Sequence, residues 1–513
     1  MFQILVSGIA ACLLGLALTC VVRKVAPQFG LVDQPDGHRK LHRSATSLGG
    51  GIAVFLAALI VTVVSMAWYG GWLDLSWERQ RMLLGLAIAG LAIVVVGALD
   101  DRFGIRGRQK LFAQVVIALI LVGFGVNIQN VQIFSWRLEL GSAGILFTVF
   151  WLLGAMNAIN LLDGIDGLAT TVGLILTTAI AAMAISIGRM EIALVATVFA
   201  CSLAGFLCLN FPPASIFLGD AGSMLIGLVV GTLAIESSLK GPGTVLLAAP
   251  LAIWTIPILD SLAAILRRKL TGRSIYTTDR AHFHHRLMDR WKCNRKSLAF
   301  AALCCAITSF AGLGSVILNN DLIALITCVA LLALLISFRI FGHAEFRLAA
   351  NRFSSMGNSL LTPFWNKQGS THHSSVRLQG SRKWEILWES LVEWAEKMNL
   401  SELRLDLNLP LVQEGYYASW KQSGRSEADR EWRFTLPLVV SGNRIGTLFV
   451  VAERSQDTAA QDLETLLCLL EPFEVNLNKI AEEISTSPAS VPAADSKSIS
   501  PILPSLSLAE KTG

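Results

Sequence analysis

Eleven apolar runs, separated by short polar stretches, fill the first two thirds of the chain. A hydrocarbon core about 30 Å thick takes about 20 mainly apolar residues in helix. That criterion places spans near 3–22, 49–68, 82–99, 111–126, 143–162, 168–187, 192–209, 219–239, 244–266, 298–318 and 322–341. The fourth is short and its limits are the least defined. The first run has no basic segment ahead of it, and ALTCVV offers no small-x-small cleavage site, so it reads as a retained span.

After residue 341 the pattern turns soluble. Residues 342–380 form a basic, Ser-rich connector in which His372 and His373 read as solvated. WEILWESLVEWAEKM has the spacing of an amphipathic helix. ELRLDLNL, EWRFTLPLVV and RIGTLFVVAE alternate as strands, and DLETLLCLLEPFEVNLNKIAEEI reads as a second helix. The expected fold is an all-α polytopic membrane domain over 1–341 with a small cytoplasmic α+β module over 381–485. Residues 486–513, rich in Ser, Pro and Ala, read as a disordered tail.

Composition agrees: 53% of residues are hydrophobic and 15% charged, against about 25% charged in soluble domains. Nothing in it suggests nucleic acid. The nine cysteines lie mostly in apolar runs without CxxC spacing, and read as buried thiols rather than metal ligands. Nineteen loop lysines and arginines follow odd-numbered spans and five follow even ones, which puts the odd loops in the cytoplasm and the N-terminus outside.

Every chemically unusual segment falls in an odd loop: LVDQPDGHRKLHRSATSLGGG, DDRFGIRGRQK, NAINLLDGIDG, NFPPASIFLGDAGS and RRKLTGRSIYTTDRAHFHHRL. Five scattered segments on one membrane face are what a single site requires. Asn157, Asn160 and Asp163, spaced by three, keep to one stripe near the end of span five. Gly164 and Gly167 allow a sharp turn that returns Asp166 to the same mouth. Such oxygen donors suit a hard cation such as Mg²⁺, which takes one or two carboxylates and completes its shell with water and phosphate. Helix capping is the alternative use of these acids.

Asp220, between glycines at the start of span eight, is open to the same two readings. Asn210 precedes Pro212 and Pro213, where an extended stretch would present its amide to the cytoplasm. Asp100 and Asp101 are adjacent carboxylates that raise each other's proton affinity unless a metal or lysine neutralises them. They suit proton abstraction or metal support. Lys110 supplies a point charge for phosphate in the same loop. His282, His284 and His285 lack the partners of a zinc site and point to phosphate contact or proton traffic, with a structural role open for at least one. Carboxylates, amides and basic residues without a Gly-x-x-x-x-Gly-Lys loop indicate phosphate chemistry without an ATP-hydrolysing module.

With HRKLHRSATSLGGG, the Asp100–Asp101 pair, NAINLLDGIDGLA, IFLGDAGS and HFHH in this order, residues 1–341 resemble the polyprenyl-phosphate N-acetylhexosamine-1-phosphate transferases. They are most similar to the bacterial undecaprenyl-phosphate N-acetylglucosamine-1-phosphate transferases. The resemblance implies a multi-pass protein of the bacterial inner membrane, with its site facing the cytoplasm. It implies transfer of a sugar 1-phosphate from a UDP-sugar, UDP-N-acetylglucosamine first among them, to undecaprenyl phosphate with release of UMP. Another UDP-N-acetylhexosamine or a muramoyl-pentapeptide donor is the alternative.

By the same resemblance Asn160 and Asp220 would bind Mg²⁺, or Mn²⁺ in its place. Asp166 and Lys40 would approach the uracil, and Asn210 the nucleoside. Lys110, His282, His284 and His285 would contact phosphates, while Asp100 or Asp101 positions or deprotonates the lipid phosphate. Asp163 joins the catalytic group and Asn157 the substrate-binding group. Two positions depart from the family pattern: Thr46 stands where a proline is usual, and Phe283 where isoleucine is common. Both bear on the donor sugar more than on the reaction class.

The C-terminal module loosely resembles part of a GAF-type sensor domain through LPLVVSGNRIGTLFVV, and a homodimer is open. Two other classes compete with an enzyme. An ion-coupled transporter predicts acids near the middle of spans. A tethered sensor predicts that residues 1–341 serve only as an anchor.

Overall fold

The computed structural model describes residues 1–34, 45–68, 75–133, 136–237, 239–241, 244–246, 251–252, 254–270, 282–343, 345–346, 371–379, 384–397, 400–409, 414–422, 431–440 and 443–453. Lys40, the second helix expected after residue 460 and the expected tail lie outside them.

The first eight helices are α1 (Phe2–Val25), α2 (Gly50–Trp68), α3 (Trp77–Phe103), α4 (Gly107–Gly123), α5 (Ala143–Leu162), α6 (Leu168–Ser186), α7 (Met190–Asn210) and α8 (Gly219–Ser237). The helices Thr255–Leu270, Phe283–Trp291, Asn294–Leu318 and Asp321–Ser337 follow. Among the described residues eight helices are long and apolar enough to cross a membrane: α1, α2, α3, α5, α6, α7, α8 and Asn294–Leu318. This is a membrane protein. Three of the eleven expected spans carry shorter helices, α4 and Asp321–Ser337 with 17 residues and Thr255–Leu270 with 16.

The ninth run is the clearest departure. Its first residues, Thr244–Leu246 (β6), form a strand instead of a helix, paired in parallel with Asn130–Ile133 (β3). β-Branched Thr244 and Val245 directly after the sequence Gly-Pro-Gly favour extended backbone, whatever their hydropathy. Trp136–Glu139 (β4) and Leu239–Gly241 (β5) complete a four-stranded sheet in the order β4-β3-β6-β5.

α8 is the axis of the bundle. Its residues from Ala221 to Ile235 are buried without interruption, walled by α3, α5, α6 and α2. Small residues permit this, because a Cβ on Gly97 of α3 would run into the Ala221 backbone, and one on Gly51 of α2 into Gly222. The three helices meet backbone to backbone at the end of α8 that carries Asp220.

The C-terminal module has a core of its own. Strands Thr371–Gln379 (β7), Glu402–Leu409 (β8), Glu414–Gln422 (β9), Glu431–Val440 (β10) and Asn443–Glu453 (β11) form an antiparallel sheet in the order β10-β11-β8-β9-β7. Leu403, Leu405 and Leu407 alternate inward onto Trp384, Trp388 and Leu391 of the helix Trp384–Lys397. Three of the five strands and the helix match the expectation. β7 lies inside the expected connector, with His372 paired to Lys421 and His373 to Trp420, and β9 was also unforeseen. The cysteines differ too: Cys304 and Cys305 are buried, but Cys20 and Cys208 are exposed on α1 and α7.

Candidate active site

The polar segments are tied together by direct bonds. Ser47 accepts from the Phe217 N–H at 2.9 Å, and the Gly50 and Gly51 N–H groups donate to Phe217 and Leu218 at 3.1 Å. The first loop is thereby fastened to IFLGD. Asp166 accepts the Ala214 N–H at 3.0 Å, and the Arg295 Nε donates to the Pro212 carbonyl at 3.2 Å. Asp101 reaches α8, and the His284 ring lies directly on Gly164, where a Cβ could not be placed.

At the centre the Lys110 ammonium lies 2.8 Å from Asp100 Oδ2, 2.8 Å from Asp220 Oδ2 and 3.5 Å from Asn160 Oδ1. Asn160 donates its amide to Asp220 Oδ1 at 2.5 Å and to the buried Ser223 hydroxyl at 2.9 Å. α3, α4 and α5 each contribute one of these side chains, and α8 contributes two. Lys110 therefore stands where a cation is held by two carboxylates and an amide oxygen.

Asp100 and Asp101, adjacent in sequence, do different things. Asp100 accepts the Ile105 N–H at 2.7 Å and pairs with Lys110. Asp101 accepts the N–H groups of Asp220 and Ala221 at 2.8 and 3.3 Å, so it supplies the cap for α8 from another helix. Gly219, at φ +74, makes the turn into that cap, where a side chain would collide with the Asp101 carboxylate. The Asp220 carboxylate is left for Lys110 and Asn160.

Asp163 terminates α5 just outside the bundle. Burial, then the charges of Asp220, Asp101 and Asp166, push its carboxyl up to about 8. His282 and His284 are buried, with rings parallel and 6.0 Å apart, and His285 lies 4.2 Å from His284. Burial, followed by the neighbouring His285 and His282, holds His284 well below the ordinary histidine range. The His284 Nδ1 is buried without a partner.

Two expected residues are placed differently. Asn210 is buried, accepting from Thr170 at 2.8 Å and donating to the Ile216 carbonyl at 2.9 Å, so its amide holds the Pro212–Pro213 turn instead of facing the cytoplasm. Asn157 donates to Gln114 and to the Leu153 carbonyl, both at 2.8 Å, one turn deeper than Asn160. Three residues escaped the sequence reading. Ser223 and Gln114 are uncharged and resemble any polar residue on a helix. Asp260 carried a signal, an acid inside an apolar run. It is buried, accepts the Phe283 N–H at 2.7 Å and faces His282 Nδ1 at 3.2 Å.

Among the described residues no three His, Cys, Asp or Glu side chains form a metal group by themselves. One or two carboxylates with an amide oxygen, open to further ligands, nevertheless fit the habit of Mg²⁺, which keeps water and phosphate in its shell. The donor set suits a phosphate-bound hard cation and not zinc.

A helical membrane protein with clustered acids, a lysine and histidines at one end of its bundle belongs to the class of membrane-embedded phosphate-handling enzymes. Residues 83–238, which hold most of α3 and all of α4 to α8, match Glycosyl transferase family 4. Over 290 residues the chain is 34% identical to a probable undecaprenyl-phosphate N-acetylglucosaminyl 1-phosphate transferase of Bacillus subtilis, covering 56% of this chain and 78% of that protein. It is 29% identical over 338 residues to the undecaprenyl-phosphate alpha-N-acetylglucosaminyl 1-phosphate transferase of Yersinia pestis, covering 64% and 88%. With the protein of that name from Escherichia coli K12 it shares 31% over 297 residues, covering 56% and 78%. The chain belongs to Glycosyl transferase family 4 and is a transferase.

Proposed function

We propose that this site transfers N-acetylglucosamine 1-phosphate from UDP-N-acetylglucosamine to undecaprenyl phosphate, releasing UMP. The observation that carries the reading is the Lys110 ammonium held between Asp100 and Asp220 beside Asn160. It is a cation-centred nest at the end of the bundle, where a soluble nucleotide and a lipid headgroup can meet. The similar proteins named above favour N-acetylglucosamine over a muramoyl-pentapeptide donor.

An oxygen of the lipid phosphate attacks the sugar-bearing phosphorus, the bridging P–O bond breaks, and the electron pair leaves with UMP. Both reactants are anions, so charge neutralisation and in-line placement matter more than a strong base. Lys110 neutralises phosphate oxygen. Asp100 orients Lys110 and the incoming headgroup. Asp220 and Asn160 would hold Mg²⁺, which supplies charge compensation for the pyrophosphate when bound. His284, pressed onto Gly164 with one nitrogen unpartnered, donates toward a phosphate oxygen. Asp163 and Asp166 line the nucleotide side of the same mouth.

The site and the C-terminal module then face the cytoplasm, where a UDP-sugar is found, and the bilayer is the bacterial plasma membrane. An ion-coupled transporter is disfavoured because Asp100, Asp101, Asp163 and Asp220 gather at one end of α3, α5 and α8. Membranes containing the protein should exchange labelled UMP into UDP-N-acetylglucosamine only when Mg²⁺ and undecaprenyl phosphate are both present. Exchange with neither, or none with both, refutes the reading.

A further inference from the structure

The chain beyond the last described membrane helix does not simply leave the bundle. Glu345 lies past the helix Asp321–Ser337, yet its carboxylate is buried and paired with the equally buried guanidinium of Arg267. Arg267 sits in the last turn of Thr255–Leu270, the helix that leads to the histidines. A few residues earlier, Phe341 packs edge-on against Phe283, with ring centroids 5.3 Å apart and planes at 86°. Both rings are buried, Phe283 at 1% exposure and Phe341 at 4%.

Phe283 stands between His282 and His284. Its N–H is held by Asp260, whose other oxygen faces His282. Fixing the Phe283 ring from outside therefore fixes how the two flanking histidines are presented, and His284 is the one seated on Gly164. Two contacts, one ionic to Arg267 on the helix before the histidines and one aromatic to Phe283 at the start of the histidine-bearing helix, both come from Phe341 and Glu345. A buried ion pair adds little net stability over an apolar pair, so its use here is to fix how the two segments meet.

We propose that Phe341 and Glu345 are positioning residues for His282 and His284, so that the exit from the membrane domain belongs to the catalytic unit. Movement of the exit segment would then be felt at the histidines. Phe283 supplies the ring that the aromatic half of this clamp needs. The proposal rests on the functional reading above only for its kinetic consequence.

The test uses full-length protein in lipid nanodiscs, comparing wild type with Phe341→Ala, Phe341→Leu and Glu345→Gln. Hydrogen exchange over Phe283–Trp291 should rise about tenfold in Phe341→Ala and Glu345→Gln, with exchange in α1 to α8 unchanged. Turnover should fall about ten- to a hundredfold while KM for the UDP-sugar stays nearly constant, as expected for misplaced groups that act on the transition state. Phe341→Leu, which keeps most of the contact volume, should recover much of both. Wild-type exchange over Phe283–Trp291 in Phe341→Ala and Glu345→Gln would overturn the proposal, as would a rise spread evenly over all helices. Wild-type protein without UMP exchange would refute the functional reading alone, since protection of Phe283–Trp291 still decides the clamp.

Discussion

Asp101 accepts the backbone N–H of Asp220 at 2.8 Å, across two helices and far in sequence. The carboxylate that looks most like half of a catalytic pair is thus the cap of α8, and it aims the neighbouring Asp220 side chain at Lys110 and Asn160.

The two members of the Asp100–Asp101 pair should therefore fail differently. Asp101→Ala removes a cap and should cost about 1 kcal/mol of stability, in the range of lost N-caps. Asp100→Asn should leave the melting temperature nearly unchanged and reduce turnover. Paired thermal melts and UMP-exchange rates distinguish them.

Lys110 neutralises two carboxylates at once. Lys110→Met keeps the stem but leaves Asp100 and Asp220 facing each other. We expect turnover to fall by roughly two orders of magnitude, the scale of losing one preorganised electrostatic group. Initial rates at saturating UDP-sugar measure it.

Asp163 gives a pH signature in stability. In the fold its carboxyl holds a proton up to about 8, whereas the unfolded chain releases it near 3.8. The neutral form is the one the fold favours, so stability from this residue is full below about pH 4, is lost as pH rises through about 8, and is constant above. Asp163→Asn should match wild type in acid and melt progressively higher than wild type between these limits. Added Mg²⁺ should narrow the gap by compensating the carboxylate. Melting curves across pH, with and without the ion, check both.

Gly97→Ala places a methyl group against the Ala221 backbone, next to Asp220. Overpacking of this kind costs about 1–3 kcal/mol. Because the crossing of α3 and α8 sets the distance between Asp100 and Asp220, turnover should fall along with stability. A Gly90→Ala control meets side chains only, the Phe55 ring and Leu225, away from Asp220, and should spare the rate more than the stability.

What the sequence revealed followed from cost. Asp100, Asp220 and Asn160 stood out because polar groups beside apolar runs need partners, and those partners turned out to be each other and Lys110. The direction of a side chain left no such trace, so the divergence of Asp100 from Asp101 and the inward turn of Asn210 came only with the backbone. Hydropathy overstated the ninth span because it cannot separate an apolar strand such as Thr244–Leu246 from helix. β9 was legible in principle: Tyr416, Ala418 and Trp420 alternate inward, but aromatic Tyr417 and small Ser419 between them blur the apolar–polar alternation. Asp260 was passed over inside an apolar run, although its partners Phe283 and His282 belong to a motif that was noticed.

The central claim is that the site moves phosphate together with sugar. UDP-N-acetylglucosamine carrying ³²P only on the sugar-bearing phosphorus tests it directly, with Mg²⁺ and undecaprenyl phosphate present. The account predicts that label enters the lipid fraction one for one with sugar and that Asp220→Ala abolishes the transfer. Label left on the nucleotide while sugar alone reaches lipid would contradict it.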